Sequence, residues 1–318
     1  MKSSRLTSNF LTSLSIVALL GGCGWAQTAT SDVVPNGAIE QGRAHRGSGS
    51  SGELLYVSTE QSGGNIGIFT FPQGQQVGQI TSQDSADGLC SDKDGNVYAI
   101  YFPAAPYEYA HGATKPRRRL HPYQDGFDAR ACSVDSHTGD LAVAGISGLL
   151  IWHRARGNPV VYVSGTIVTG CVYDPNGNLF VFGDIGSQSG LFEMKKGTRT
   201  FRLVNLKLRG RANDAPIAWD GQYLVLDTIL MRGHRHHYIA RVQVNNLMGK
   251  VVQLIYVRDQ GFEQIAIQGD ALIGSDRQAD NIGFWSYPQG GKPTSLIPYA
   301  STVSITLSVA PSGSHIRK

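Results

Sequence analysis

Acidic side chains stand at the start of four short apolar runs, where they could share one ligand. They are Asp87, Asp128, Asp214 and Glu263, and Asn213 lies beside the third. If these runs are strands that converge on one axis, the carboxylates raise one another's pKa unless a cation lies between them. Oxygen ligands of this kind suit a divalent cation such as calcium. The alternative is that each acid bonds its own backbone in an Asx-type turn before the strand.

Three imidazoles crowd the segment Arg232 to His237 (RGHRHH), which we expect to be a loop between two strands. Neutral histidine is a good ligand for zinc or copper, so His234, His236 and His237 are candidate metal ligands. The alternative is a solvated hairpin tip, because adjacent residues on a strand point to opposite faces.

A basic run, Lys115 to Arg119 (KPRRR), could meet an anionic surface such as lipid headgroups. We favour a simpler interpretation, in which it is a solvent-exposed outer strand whose charges protect a sheet edge from aggregation.

The elements that position these residues repeat along the chain. Six times an apolar run meets a glycine turn and a second apolar run follows, most clearly in Leu89 to Tyr98 and Cys171 to Phe180. The turn glycines, spaced 44, 38, 44, 48 and 44 residues apart, are Gly95, Gly139, Gly177, Gly221, Gly269 and Gly313. A period of about forty residues built from hairpins is typical of a β-propeller. Because each repeat contains two further strands, the sequence predicts an all-β, six-bladed β-propeller.

The two ends of the repeat region are expected to complete one blade together. The first repeat begins at Leu54 with its second strand, whereas Val303 to Ala310 (VSITLSVA) is a lone inner strand. If this strand joins the first blade, the ring is closed and no sheet edge stays open. Large aromatic residues that fall on the third strands are expected to pack between blades; they are Phe69, Trp152, Trp285 and Tyr287.

The segment Ala86 to Asp92 (ADGLCSD), followed closely by GNVY, resembles the inner-strand motif of two groups of six-bladed propellers. These are the NHL-repeat proteins and the gluconolactonase-like (regucalcin-type) lactonases. In the lactonases, the Asp of a Pro-Asp-Gly at this place binds a divalent metal in the central channel, so the resemblance implies Asp87 as a ligand. It also implies a Glu near the start of the first blade, where Glu53 and Glu60 lie outside the family's motif. Two Asn ligands are implied as well, and Asn213 is one candidate.

The first 23 residues have the pattern of a targeting segment. Lys2 and Arg5 give a charged start, and Phe10 to Leu20 includes an apolar stretch too short to span a bilayer comfortably. The segment ends in LGGC, which resembles the bacterial lipobox and implies lipidation of Cys23.

Gly24 follows this cysteine at a place that is usually Asp in families with inner-membrane retention signals, so an outer-membrane or cell-surface destination is implied. The alternative is a secretory signal cleaved near Ala26 or Ala29, which leaves a periplasmic or secreted protein. Residues 24–52, poor in large apolar side chains and rich in Ser and Gly, are predicted to form a flexible tether, and residues 53–318 the propeller domain.

Three further cysteines, Cys90, Cys132 and Cys171, fall on consecutive inner strands near one register. In an exported protein, an odd number leaves at least one unpaired. We interpret all three as small buried apolar residues. A disulfide between neighbouring strands is the alternative, and it needs Cα atoms within about 7 Å.

The net charge of +4 is too mild for a nucleic-acid-binding face, and the sequence contains no zincin motif, P-loop or dinucleotide fingerprint. We therefore expect a monomeric, exported and lipid-anchored propeller that acts as a non-catalytic binding or scaffolding module of the cell envelope. An unknown protein or small molecule would bind the face around the channel. The alternative is a divalent-metal-dependent, lactonase-like hydrolase with Asp87 and Asp214 among its ligands.

Overall fold

The computed structural model describes residues 52–310 apart from 61–63, 83, 102–104, 124–126, 209–210, 233, 259–260 and 277–278. The side chains of 211–215, 231–235 and 276 are also left out of the description. Cys23, the predicted targeting segment and nearly all of the tether lie outside the described residues, as does Gly313. Within the described part, no helix combines the length and the apolar character needed to cross a bilayer.

The described residues form six sheets of mainly antiparallel strands, which are the six blades of a β-propeller. Blade one contains β1 (Leu54–Thr59), β2 (Ile66–Thr70) and β3 (Gln76–Ile80). Blade two contains β4 (Ala86–Ser91), β5 (Val97–Tyr101), β6 (Ala105–Tyr109) and β7 (Arg118–Arg119). Blade three contains β8 (Ala129–Val134), β9 (Leu141–Gly145), β10 (Gly148–Trp152) and β11 (Val160–Ser164), with a 3-10 turn at His153–Ala155.

The strands of blades four and six run from the innermost outwards, whereas blade five begins with its outermost strand. Blade four contains β12 (Val168–Tyr173), β13 (Leu179–Ile185), β14 (Gln188–Met194) and β15 (Phe201–Leu203). Blade five contains β16 (Asn205–Leu206), β17 (Arg211–Trp219), β18 (Leu224–Arg232), β19 (His234–Asn245) and β20 (Met248–Val257). Blade six contains β21 (Gln264–Gln268), β22 (Ala271–Asp276), β23 (Asn281–Ser286) and β24 (Ser295–Pro298), and the last strand is β25 (Thr302–Ser308).

Strand β25 is the innermost strand of blade one, as the sequence predicts. It pairs antiparallel with β1, so that Leu54 lies opposite Ser308 and Tyr56 opposite Thr306. The sheet order β25-β1-β2-β3 therefore closes the ring with strands from both ends of the domain.

Polar side chains join neighbouring innermost strands. The hydroxyl of Ser304 accepts a hydrogen bond from the amide of Leu89 at 2.7 Å, and the side-chain oxygen of Gln264 accepts one from the amide of Ile305 at 2.7 Å. These two backbone amides thus find their hydrogen-bond acceptors on a neighbouring blade. Buried polar groups need such partners.

Six apolar clusters fill the six interfaces between neighbouring blades. Trp152 and Trp285, both fully buried, anchor the interfaces of blades two and three and of blades five and six. Phe69 packs between blades six and one, and Tyr287 between blades five and six. The prediction that these aromatic residues pack between blades is confirmed.

Aspartates close the glycine turns between the first two strands of several blades. Asp174 accepts hydrogen bonds from the amides of Asn176 and Asn178 at 2.9 and 2.8 Å, and Asp92 makes the same pattern in blade two. In that turn Gly95 has φ +79°, and a Cβ placed on it would lie 2.3 Å from a backbone oxygen. The Asx-turn chemistry considered for the channel acids thus occurs in these turns.

The interpretation of the three cysteines as unpaired apolar residues is wrong for two of them. Cys90 and Cys132 form a disulfide with a Cα–Cα distance of 5.5 Å, which joins blades two and three. The separation falls inside the range that a disulfide requires. Cys171 is buried and free, in agreement with the odd number.

Cys171 is expected to resist alkylation in the folded protein. Burial raises the pKa of its thiol to about 12, so the reactive thiolate is scarce at neutral pH. Iodoacetamide should leave Cys171 unmodified for hours at pH 8 and label it fully in guanidinium, as peptide mass spectrometry would show. Rapid labelling of the native protein would contradict this expectation.

Blade five differs from the prediction in two ways. Its strands β18, β19 and β20 contain 9, 12 and 10 residues, and β16 adds a fifth, parallel strand to β20. The histidine segment expected to be a loop instead begins β19, because the hairpin ladder continues to the pair Arg232 and His234.

Candidate functional site

The innermost strands of blades two to five are interrupted by β-bulges close to their first residues. The bulges fall at Asp87 in β4, Arg130 in β8 and Thr169 in β12, and at residues 213–216 in β17. Pro216 has no amide hydrogen to give to the ladder, which accounts for the longer interruption in β17. Bulges redirect side chains and are common beside active sites. The first residues of these strands surround one mouth of the central channel.

The acids predicted to line this mouth lie at the starts of innermost strands. Asp128 and Glu263 immediately precede β8 and β21, and Asp87 is the second residue of β4. Asn213 and Asp214 lie in the bulge of β17, and their side chains are outside the described part.

Asp87 is held in surroundings that disfavour its charge. Burial raises the pKa of its carboxyl, and the negative charges of Asp128 and Glu60 raise it further, whereas Ser85 and Arg130 act in the opposite direction. The Ser85 hydroxyl lies 2.9 Å from the Asp87 carboxylate but also 3.2 Å from a backbone carbonyl, and it has one proton to donate. A carboxylate kept at such a position is a candidate for ligand binding.

Replacement of Asp87 by asparagine is expected to stabilise the protein at neutral pH. Folding raises the pKa of Asp87. Its favourable contribution to the free energy of unfolding is therefore present below the pKa that Asp87 has in the unfolded chain, and it is lost as the pH rises through the pKa in the folded protein. Asp87→Asn, which stays neutral, should therefore melt a few degrees higher than the parent at pH 7. Near pH 3 the two melting temperatures should differ little. Calorimetry at both pH values tests this, and a variant that is less stable at pH 7 would refute it.

One cation lies among these acids. Arg130 donates through Nη2 to Asp128 Oδ2 at 3.1 Å, and both side chains are partly exposed, so the pair contributes little stability. Arg130 also lines the channel. Among the described residues, no cation forms a direct hydrogen bond with Asp87. Among the side chains described at the starts of the innermost strands, the acids Asp87, Asp128 and Glu263 outnumber the one cation, Arg130.

Below the mouth, the channel contains a cavity of about 330 Å³ that is lined by all six innermost strands. Its polar walls include Arg130, Thr169 and Glu263, and its apolar walls include Ile267 and Trp219. The indole N–H of Trp219 is buried and has no hydrogen-bond partner within the described residues. An unsatisfied buried donor is costly, so a ligand that accepted this hydrogen bond would gain affinity.

The sequence interpretation missed Arg130, Thr169 and Trp219. The sequence contained a signal for them. Three successive inner strands begin with A-D-G, A-R-A and V-T-G, in which a polar residue lies between small or branched ones. An alignment on the bulge would have placed Arg130 and Thr169 beside Asp87.

The structure does not bring His236 and His237 together. His237 lies with Nδ1 3.3 Å from the buried carboxylate of Asp227, whereas the ring of His236 contacts Tyr256 at 6.1 Å between centroids. They are adjacent residues on β19 and so point to opposite faces. The side chain of His234 lies outside the described residues.

The two glutamates considered from the family resemblance lie in different places. Glu53 accepts a hydrogen bond at 2.7 Å from Gln268, the last residue of β21, and so lies at the end of the channel away from Asp87. Glu60 is the one whose charge acts on Asp87. Among the residues with described side chains, no three His, Cys, Asp or Glu residues are grouped closely enough to hold a metal ion.

Comparisons with known proteins support the fold. No protein-family model and no curated protein sequence matches the chain. A chain from the crystal structure of the nidogen/laminin complex is similar with a TM-score of 0.64 and 12% identity, over 82% of this chain and 100% of that one.

Two bacterial structures are similar over 81% of this chain. One is a protein of unknown function from Bacteroides caccae, with a TM-score of 0.55, 12% identity and 99% of its own chain covered. The other is TolB from Acinetobacter baumannii, with a TM-score of 0.52, 13% identity and 67% covered. At such identities the similarity concerns the fold alone, and on that evidence the chain is a six-bladed β-propeller.

Proposed function

We propose that this protein is an exported, lipid-anchored propeller that acts as a non-catalytic binding module of the cell envelope. Its ligand is a small organic cation, bound with its charge at the channel mouth and its apolar part in the cavity below. The observation that carries this proposal is the costly environment of Asp87, which a positive charge would relieve.

The cavity supports the same ligand class. Its volume of about 330 Å³ is at the lower end of small-molecule sites, and its apolar residues would cover an alkyl or aromatic group. Trp219, the last residue of β17, adds an indole ring at the end of the channel away from Asp87, where it would contact the apolar part of the ligand. Propellers also serve as binding modules elsewhere, since one similar chain comes from the nidogen/laminin complex.

Calorimetric titration with hexylammonium and with hexanol tests the ligand class, because the two probes differ mainly in charge. Hexylammonium should bind at least tenfold more tightly, and Asp87→Asn should remove that preference while leaving hexanol binding unchanged. Asp94→Asn, which alters an exposed acid in the first turn of blade two, is the matched control and should bind like the parent. Equal binding of the two probes would refute the proposal.

The lactonase-like hydrolase stays a second candidate because Glu60 acts electrostatically on Asp87, the position to which the family resemblance gives a metal ligand. Elemental analysis of the protein after equilibration with calcium and dialysis separates the two. Retained calcium that disappears in Asp87→Asn, together with hydrolysis of a lactone, would favour the enzyme.

The anchor has its own test. Labelled palmitate should enter the protein in bacterial cells, and Cys23→Ala should abolish the label. Absence of label in the parent would favour cleavage near Ala26 or Ala29 and a secreted or periplasmic protein.

A further inference from the structure

A second cavity lies between blades two and three, away from the channel. It has a volume of about 640 Å³, and its walls come from the first turn of each blade, from β6 and β7 and from the segment after β10. The turn residues Asp92 and Asn96 follow the last residue of β4, whereas Asp87 lies at that strand's start. The cavity therefore opens on the face opposite to the channel mouth, where the proposed function does not place a ligand.

Two of the three acids in this cavity, Glu108 and Asp92, accept several hydrogen bonds. Glu108 is buried and accepts two hydrogen bonds from the guanidinium of Arg118, of which that from Nε measures 2.9 Å. Asp92 accepts bonds from two backbone amides at 2.9 and 2.8 Å and from the side chain of Asn96 at 2.8 Å. Of the lining acids, Asp94 alone is exposed and without an ion pair in the described part of the chain.

The arginines of this cavity form fewer hydrogen bonds and ion pairs with described residues than the acids do. Arg154 and Arg156 line the cavity, are exposed, and form no ion pair with any described residue. Arg117 is 67% exposed and lies 3.8 Å from Glu108, which already binds Arg118 more closely. The cavity is lined by four arginines and three acids, so its described side chains have an excess of one positive charge.

The backbone that presents Arg154 is strained and fixed. Arg154 and Ala155 have φ values of +53° and +46°, in the left-handed region that residues other than glycine rarely adopt. Asp140 holds the turn by accepting a hydrogen bond from the Arg154 amide at 2.8 Å and contacting His153 Nδ1 at 3.1 Å. Ala155 is buried between blades two and three. Strain that the surrounding structure maintains is concentrated at functional sites.

A neutral donor completes the wall. Burial, followed by the charges of Glu108 and Asp92, raises the pKa of the Tyr98 hydroxyl, which therefore keeps its proton at neutral pH. This hydroxyl lies 3.4 Å from Asp92, a long contact that a better acceptor would displace.

We propose that the cavity between blades two and three is a second ligand site, which binds a small organic anion through Arg154 and Arg156. Guanidinium groups bind phosphate and carboxylate oxygens through paired hydrogen bonds, and the volume suits a ligand of drug size. Phosphate esters and polycarboxylates offer this chemistry alike.

Titration of the full-length protein with glucose 6-phosphate, citrate, inorganic phosphate and glucose tests the site and distinguishes its ligands. One or more of the organic anions should bind, glucose should not, and raising sodium chloride from 50 to 200 mM should weaken binding. The preference between glucose 6-phosphate and citrate assigns the ligand to phosphate esters or to polycarboxylates. Failure of every anion to bind, or equal binding of glucose, would overturn the proposal.

Variants locate the site. Arg154→Ala and Arg156→Ala should each weaken anion binding about tenfold, the effect of losing one charge-assisted hydrogen bond. Arg202→Ala, which removes an exposed arginine from blade four, is the control and should bind like the parent. Asp140→Ala, which removes the oxygen that accepts from the Arg154 amide, tests the positioning of the turn and should weaken binding several-fold, whereas Asp140→Asn, which keeps that oxygen, should restore it. An equal loss in Arg202→Ala would show nonspecific attraction.

The two proposed sites can fail separately. Asp87→Asn alters the channel mouth on the other face and should leave the anion affinity unchanged, just as Arg154→Ala should leave hexylammonium binding unchanged.

Discussion

Asp220→Ala should lower the free energy of unfolding by about 3–5 kcal/mol, the cost of removing one partner from a buried ion pair. The Asp220 side chain is fully buried at the turn before β18. It accepts hydrogen bonds from Arg241 Nε at 2.8 Å and from the Tyr287 hydroxyl at 2.6 Å, and from the amides of Gln222 and Tyr223. The substitution leaves four donors unsatisfied, one of them charged.

Arg241 has little freedom to recover from this loss. Its side chain is 18% exposed, stacks 4.6 Å from the ring centroid of Tyr223 and donates to Gln253 at 3.0 Å. Because Tyr287 belongs to blade six, the substitution also weakens the contact between two blades.

The same carboxylate should make the protein sensitive to acid. Burial alone would raise the pKa of Asp220, but the hydrogen bonds from Tyr287, Tyr223, Gln222 and Arg241 outweigh it and lower the pKa. Its contribution is therefore present above the pKa of the unfolded chain, about 3.8, and is lost as the pH falls through the lower folded value.

Urea denaturation of Asp220→Ala at pH 7 and at pH 3 measures both effects. The deficit relative to the parent should be large at pH 7 and smaller at pH 3. Asp94→Ala, at an exposed acid in the corresponding turn of blade two, should change the free energy of unfolding by less than about 0.5 kcal/mol. A deficit below about 1 kcal/mol in Asp220→Ala would contradict the buried-network account.

Removal of the disulfide should have the second large effect. The double variant Cys90→Ala/Cys132→Ala is expected to lose about 4 kcal/mol, because the bridge closes a loop with a sequence separation of 42 and restricts the unfolded chain. Equilibrium denaturation with and without dithiothreitol measures this. The reductant should destabilise the parent and leave the double variant unchanged, and parental stability that is independent of the reductant would count against the bridge.

The repeat pattern was sufficient to predict the fold, because each blade is built from local hairpins. Glycine turns at a regular spacing predicted six blades, and the lone strand Val303 to Ala310 predicted the closure of the ring, which pairs Leu54 with Ser308. The packing of aromatic residues between blades followed from their predicted positions on third strands, although Tyr287 lies just after its strand.

Contacts between blades could not be predicted in the same way, since they depend on distances across a boundary. Cys90 lies one position further along its strand from the bulge than Cys132 does, and only the packing of two blades shows that they meet. The charge environment of Asp87 likewise comes from three separate segments. Arg154 gave no signal, because Arg154 and Ala155 adopt a left-handed backbone conformation that is unusual for their residue types.

The closure of blade one also has a consequence for how the chain folds. The hydrogen bonds between Ser58 and Ser304 join residues 246 positions apart. During synthesis from the N-terminus, blades two to six can assemble while β1 still lacks the neighbour that covers its inner edge. Bringing such distant segments together costs chain entropy before any contact rewards it, so ring closure is expected to be the slow, final step. Until then β1 presents an open strand edge, and this nascent form is the one most prone to aggregation.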